Sequence, residues 1–214
     1  MRVLLNDVAP YTMRAEAALY GMHHDILHLL EDKLGLAFDV NVGPYVRLPA
    51  SLADGSADMV VAVEGPDLDA IGKRVAPFHE FKFVVLSKKA SAIAGVADLR
   101  GKLLGVARGA FYADSINNDP EIRKFGITDP FQGVRMLALD RLDAVISSDY
   151  LLSHAMRQAR VVTADFGTPF VVNEKRYTLY ARKDLSEQAV QRMQAAMEAL
   201  RASGRIAEVL ARYK

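Results

Sequence analysis

The sequence contains no cysteine, which excludes a disulfide framework, a thiolate metal site and a cysteine nucleophile. An excess of one charge sign is missing too: 27 Lys plus Arg stand against 26 Asp plus Glu, a formal net charge of +1, with no long run of either sign. Nucleic acid and anionic membrane surfaces therefore have no electrostatic support as partners. No apolar stretch approaches the roughly 18 residues that a bilayer-spanning helix needs. The first strand candidate begins at Arg2, leaving no room for the basic and apolar regions of a secretory signal. The chain is expected either to be cytoplasmic or to carry Met1 in place of a removed signal or anchor. A nucleophile elbow, a Walker loop and a dinucleotide glycine motif are all absent, so hydrolase, ATPase and dehydrogenase readings lack support.

What is present is an alternation of strands and helices. With 214 residues, 51% of them hydrophobic, the chain can bury the core of one large or two small domains. Val3 to Leu5 is a short apolar run bounded by Asn6-Asp7 and Pro10, the mark of a buried parallel strand. After Gly21, Met22, Ile26, Leu30 and Leu34 recur at helical spacing up to a stop at Gly35. Phe38 to Val42 alternates as a strand, Pro49 opens a short helix ending at Gly55, and Met59 to Val63 is a third strand. This β-α-β-α-β order is that of a doubly wound lobe.

A second series comes after the long strand-like run Phe81 to Leu86. It comprises a strand at Leu103 to Val106, a helix from Ala110, a helix around Phe131 to Leu139, a strand at Ala144 to Ser147 and a helix N-capped by Asp149. Val161-Val162 and Phe170 to Val172 are further strand candidates, and Arg176 to Arg182 resembles the earlier crossing run. One phrase occurs twice, as Leu52-Ala-Asp54-Gly55-Ser-Ala-Asp58-Met-Val-Val61 and Leu139-Asp140-Arg141-Leu-Asp143-Ala-Val-Ile146: a helix ends, a polar turn comes next, and a strand starts behind an aspartate. The last helix carries Val190, Met193, Met197 and Leu200 on one face, with Gly204 as its stop. Its methionines are expected in the core.

These pieces together resemble the family 3 extracellular solute-binding proteins, the type II periplasmic-binding fold of polar amino-acid receptors. The matching segments are Ala9-Pro10-Tyr11, Gly21 with Asp25-Ile26-Leu27, Leu52 with Gly55 and Asp58, Pro77-Phe78, Asp98-Leu99-Arg100-Gly101-Lys102 running into Gly105-Val106-Ala107-Arg108-Gly109, Arg141-Leu-Asp143-Ala-Val145, and Ser203-Gly204 with Ile206. They occur in order over nearly the whole length. The resemblance implies an α/β fold of two doubly wound lobes joined by two crossing hinge strands, a Venus flytrap closing on a solute in the cleft. Residues 1–85 plus 178–214 would form a discontinuous first lobe and 86–177 the second.

The resemblance also locates candidate site residues, and here the chain departs from the family pattern. Where amino-acid receptors usually place the Arg that holds a ligand carboxylate, this chain has Ala70, with a displaced Arg74 one helical turn on. Where they place the Asp that holds the ammonium, it has Ser148, with Asp149 beside it. The Ser/Thr-rich segment gives way to Ala62-Val63-Glu64-Gly65-Pro66, and Ala110-Phe111-Tyr112 stands after Gly109 in place of a Ser or Thr. A bidentate Arg grip depends on fixed fork geometry, so a displaced Arg is no equivalent. The expected ligand-binding set is Tyr11, Glu64, Gly65, Arg74, Arg108, Ala110, Phe111, Tyr112, Ser148 and Asp149, with backbone N–H groups and Arg108 converging near Phe111 where an anion would sit. Asp149 is read mainly as a helix cap and Ser148 as a ligand contact. His24 and His28 have the i, i+4 spacing of a metal pair, but no third ligand is evident and a solvated face is the expectation. His79 is read as a packing residue.

The expected function is non-catalytic: a monomeric, periplasmic solute-binding protein that closes around a small polar solute for an ABC permease, with a non-standard amino-acid clamp, no cofactor, no metal and no nucleic acid. Its signal peptide, absent here, would have been removed. Two alternatives share the scaffold. One is the ligand-sensing domain of a membrane receptor kinase. The other is an enzyme similar to cyclohexadienyl or arogenate dehydratases, for which Glu64, Asp149 and Glu174 are the available acids.

Overall fold

In the computed structural model, which describes residues 1–15, 18–91 and 93–213, the chain forms two compact units. Unit 1 comprises Met1–Glu80 and Arg176–Lys214, and unit 2 comprises Phe81–Lys175. The architecture is mixed α/β.

The chain enters unit 1 through β1 (Arg2–Asn6), the short antiparallel pair β2 (Met13–Ala15) and β3 (Ala18–Tyr20), α1 (Met22–Leu34), β4 (Asp39–Gly43), α2 (Arg47–Ala53), β5 (Met59–Val63), α3 (Pro66–Ile71) and β6 (Gly72–Ser87). Helix α1 ends where Gly35 adopts left-handed φ 65°, the backbone state glycine reaches without steric cost. Helix α2 starts at Arg47, two residues before Pro49; proline is tolerated there because first-turn N–H groups have no partner within a helix. Arg74, expected a helical turn beyond Ala70, lies on β6 instead, since α3 stops at Ile71 and the chain straightens at Gly72.

Unit 2 continues with β7 (Leu103–Ala107), α4 (Asp114–Asn117), β8 (Arg123–Ile127), α5 (Pro130–Ala138), β9 (Ala144–Ser148), α6 (Asp149–Ala159) and β10 (Phe170–Arg182). No helix begins at Ala110: α4 has four residues and starts at Asp114. Strand β8 has no counterpart in the sequence reading. Arg123 and Lys124 hide its apolar signal, and its residues are mostly exposed. Val161 and Val162 lie outside any strand. The cap of α6 is Ser148, whose hydroxyl accepts the Leu151 N–H at 3.2 Å, and Asp149 is the first helical residue. The chain returns to unit 1 along β10 and closes with α7 (Glu187–Ala202) and α8 (Arg205–Ala211).

In unit 1 the strand order is β4-β1-β5-β10, with β1 parallel to β4 and β5 and β10 antiparallel to β5. Helices α7 and α8 pack on α1, and Met193 and Met197 are buried core residues. In unit 2 the order is β6-β9-β7-β8, with β6 antiparallel to β9 and the rest parallel. Alternation along β6 sends Val84 and Leu86 into a cluster with Val134, Leu137 and Leu152, while Val85 packs with Leu99, Tyr112 and Ile116. Apolar burial on both faces explains why these strands read as unbroken hydrophobic runs.

The repeated phrase has one structural meaning in both units. Asp58 Oδ2 accepts the Arg2 N–H at 2.8 Å and the Asp58 N–H donates to the Arg2 carbonyl at 2.9 Å. Asp143 Oδ2 accepts the Leu103 N–H at 2.7 Å and the Asp143 N–H donates to the Leu103 carbonyl at 3.0 Å. Each aspartate thus locks the entry of β5 or β9 to the entry of the parallel strand beside it.

Candidate functional site

Ligands in open α/β sheets bind beyond the carboxyl ends of strands, so each unit is built up from there. In unit 2, β7 ends at Ala107 and Gly109 turns the chain with φ 73°. Asn117 organises the turn from Ala110 to Ala113. Its Oδ1 accepts the N–H groups of Tyr112 (2.8 Å) and Ala113 (3.2 Å), and its Nδ2 donates to the Ala110 carbonyl at 3.0 Å. The Tyr112 hydroxyl accepts the Ala107 N–H at 2.9 Å, and Asn173 Nδ2 donates to the Tyr112 carbonyl at 3.0 Å. The Tyr112 ring is buried edge-on to Phe83 with centroids 5.0 Å apart, and burial raises its hydroxyl pKa.

Tyr112 and Ala110 are therefore scaffold: the N–H groups of Tyr112 and Ala113 are bonded to Asn117 and that of Ala110 to the Ala107 carbonyl, which takes them from any anion. Arg108 and Phe111 are what the strapped loop presents. Phe111 is 57% exposed. Arg108 is exposed, has no ion-pair partner among the described residues, and runs its stem across β8, where a Cβ on Gly126 would stand 3.2 Å from the Arg108 Cγ. Asn117 and Asn173 escaped the sequence reading because an asparagine that bonds backbone several residues away leaves no periodic trace.

The cap expected of Asp149 is supplied by Ser148, the residue expected to contact ligand. Ser148 is 1% exposed and caps α6. Asp149 Oδ1 accepts from the N–H groups of Tyr150 (3.0 Å) and Lys82 (3.3 Å). Glu174 pairs with Lys82 at 3.1 Å.

In unit 1, Glu64 and Arg74 belong to one polar network at the end of β5. Arg74 grips Asp69 with both arms of its fork, Nε to Oδ1 and Nη2 to Oδ2, each at 2.6 Å. Its Nη1 meets Glu64 Oε2 at 3.2 Å. Thr178 donates to Glu64 Oε1 at 2.6 Å, the Tyr180 hydroxyl donates to Asp69 Oδ1 at 3.0 Å, and Arg176 reaches Glu80 at 2.8 Å. The Arg74 guanidinium holds the Asp69 carboxyl below its ordinary pKa. With the fork occupied, a solute carboxylate would have to displace Asp69 to engage Arg74. Three carboxylates against two guanidiniums leave this cluster one negative charge in excess. Gly65 precedes α3 with extended backbone, and its carbonyl accepts the Asp69 N–H at 3.1 Å.

Tyr11, expected to contact ligand, is fully buried. The Pro10 and Tyr11 carbonyls accept the first N–H groups of α1, from Met22 (2.9 Å) and His23 (2.8 Å). That close approach is why residue 21 is glycine, with φ 120° and the Tyr11 oxygen 2.8 Å from where a Cβ would stand. Tyr11 stacks on His23 with centroids 4.6 Å apart and interplanar angle 15°, within a cluster that includes Phe78, His79 and Tyr177. His23 Nε2 lies 2.8 Å from His79 Nε2. Burial lowers both histidine pKa values, that of His79 to about 4. His24 and His28 stack at 6.4 Å, and His28 Nδ1 binds Glu31 at 3.0 Å. Among the described residues no three His, Cys, Asp or Glu side chains are grouped to hold a metal, and no helix is long and apolar enough to cross a membrane.

Known proteins match this chain in family and in fold. The family model for bacterial extracellular solute-binding proteins, family 3, matches residues 2–214. No curated protein matches the sequence. An ancestral arginine-binding protein bound to arginine superposes with a TM-score of 0.78 at 19% identity, over 99% of this chain and 96% of that one. A histidine kinase sensor domain with similarity to periplasmic binding proteins gives 0.80 at 16% identity, over 99% and 94%. The substrate-binding protein of an amino acid ABC transporter gives 0.75 at 17%, over 100% and 99%.

Proposed function

Because this chain belongs to the bacterial extracellular solute-binding proteins of family 3, we propose that it is a monomeric extracytoplasmic receptor that hands a small polar solute to an ABC permease, without catalysis of its own. The family supplies the binding role, and its members are extracytoplasmic. The observation that carries the choice of solute is the pairing in unit 2 of an exposed Arg108, without an ion-pair partner among the described residues, with an exposed Phe111 on a loop held by Asn117. Such a loop contacts a solute bearing an anionic group next to an apolar or planar surface, and its rigidity spares the ordering cost of binding. Unit 1 argues against a free α-amino-acid clamp, since Arg74 is bound to Asp69, and in unit 2 Ser148 is a helix cap. The acids a dehydratase would draw on are likewise engaged: Glu64 by Thr178, Asp149 by backbone N–H groups and Glu174 by Lys82. A second reading, the sensing domain of a membrane kinase, is favoured by the likeness to a histidine kinase sensor domain.

The test is thermal-shift screening against amino acids, organic acids, amines and sugars. A solute at a hundred times its Kd adds about 2.7 kcal/mol of stability, a clear rise in Tm. For a hit with an anionic group, Arg108→Ala should weaken binding by about 2 to 5 kcal/mol in calorimetry. A panel without any hit speaks against the receptor reading, and a hit indifferent to Arg108 speaks against the assigned contact.

A further inference from the structure

Unit 2 carries a concavity lined by none of the residues of the Arg108 loop. It has a volume of about 730 Å³ and lies between the bridge joining Lys88 to Phe166 and the ends of α5 and α6. Ligand pockets typically span roughly 300 to 1,000 Å³. Ser87, one residue before Lys88, pairs with Ala144 at the N-terminal end of β9, whereas Phe83 pairs with Ser148 at its C-terminal end. The concavity is thus about 13 Å, one strand length, from the strand ends that carry Arg108 and Ser148.

Its lining has two parts. Phe166, Ala138 and Val161 are an apolar surface continuous with the core of the unit. Lys88, Lys89, Arg160 and Asp165 supply the charge. Lys88 is neutralised by Asp140 at 2.5 Å. Among the described residues Lys89 and Arg160 have no ion-pair partner, so two cations face one carboxylate, Asp165. Arg160 is held in the left-handed conformation with φ 52° as it ends α6, a state that non-glycine residues adopt at a cost.

We propose that this concavity is a second binding site, specific for a small amphipathic organic anion: a carboxylate or phosphate head against Lys89 and Arg160, and a short apolar body over Phe166, Val161 and Ala138. Apolar burial supplies the affinity and the two cations select the head group. The site stands apart from the solute reading, because none of its residues belongs to the Arg108 loop.

The probe is octanoate, with octanol as its uncharged counterpart, titrated into the whole chain and followed by amide chemical shifts. Octanoate should bind saturably at millimolar concentration or below and shift the amides of residues 88–90 and 160–166, with octanol weaker by about tenfold, the ratio for 1.4 kcal/mol. The double variant Lys89→Glu with Arg160→Glu, both exposed, should bring octanoate to the level of octanol while keeping the wild-type far-UV spectrum. Raising salt should weaken octanoate and leave octanol unchanged; this comparison needs only the wild-type chain and decides the matter if the variant fails to fold. Shifts confined to the Arg108 loop, equal affinity for both probes, or no saturation by either would overturn the proposal. Failure of the solute panel would leave these outcomes untouched.

Discussion

Mild acidification should weaken unit 1 through its buried histidine pair, and the hydrogen bonds set the size of the effect. His79 Nδ1 lies 3.1 Å from the Glu80 carbonyl, which only accepts, so Nδ1 carries the proton and the neutral ring offers Nε2 as an acceptor. His23 Nε2, 2.8 Å away, must then be the donor, which leaves His23 Nδ1 bare, and that atom is buried without a hydrogen-bond partner. Charging His79 at Nε2 would set two N–H groups against each other, with the positive charge of Arg201 nearby. The His79 pKa falls from 6.5 to about 4, mainly by burial. A histidine pKa depressed by folding means that the unfolded chain takes up protons first, so stability is full above about pH 6.5 and is lost as pH falls towards 4. For His79 alone the loss is about 1 kcal/mol between pH 7 and 5.5 and about 3 kcal/mol by pH 4. His23, lowered by burial and by His79, acts in the same direction. Carboxylates such as Asp58 and Asp69, whose pKa values are lowered from an ordinary 3.8, contribute only at lower pH, so the upper window isolates the histidines. Urea unfolding followed by far-UV circular dichroism at pH 7, 6.5, 6 and 5.5 measures the slope. His79→Gln keeps an acceptor for His23 and should flatten that slope while lowering stability at pH 7. Equal slopes in both proteins, or a wild-type stability that does not change across the window, would refute the assignment of neutral, coupled rings.

Three further outcomes are expected. Glycine, glutamate and lysine should bind weakly or not at all, and Arg74→Ala should leave the affinity for any solute identified in the screen unchanged; micromolar calorimetric binding of a standard α-amino acid that disappears in Arg74→Ala would show that the Asp69 pairing opens. Asn117→Ala removes three hydrogen bonds from the Ala110–Ala113 turn, and should cost about 1 to 3 kcal/mol of stability and weaken solute binding by loosening the loop, read as a lower Tm without solute and a higher calorimetric Kd. Gly21→Ala brings a Cβ to 2.8 Å from the Tyr11 carbonyl at φ 120° and should destabilise by about 2 kcal/mol or more in urea unfolding, whereas Gly35→Ala, with no atom within 4 Å of its Cβ and φ 65°, should cost less.

The order of elements was legible in the sequence because period-2 and period-3.6 burial writes itself into spacing. Val3 to Leu5, Met59 to Val63 and Ala144 to Ile146 are apolar since their strands are covered on both faces, and the Met22, Ile26 and Leu30 stripe marks the buried side of α1. The repeated aspartate phrase was visible as a repeat, and its role as a lock between strand entries was not. Strand β8 was hidden because an edge strand with Arg123 and Lys124 has little apolar pattern to display. The fates of the individual site candidates depended on tertiary contacts. Tyr11 is buried by His23 and Tyr177, Arg74 is claimed by Asp69, Ser148 is turned into a cap, and the N–H groups of Tyr112 and Ala113 are claimed by Asn117. Whether a polar group is free for a ligand is settled by which partner lies within hydrogen-bond reach, and those partners come from other elements or from beyond a turn, at separations no local pattern encodes. Periodicity determined that this chain is an α/β protein, and its ordered segments from Ala9 to Ile206 carried the resemblance to the family 3 solute-binding proteins; only the folded structure decided which of its charges are left to bind anything.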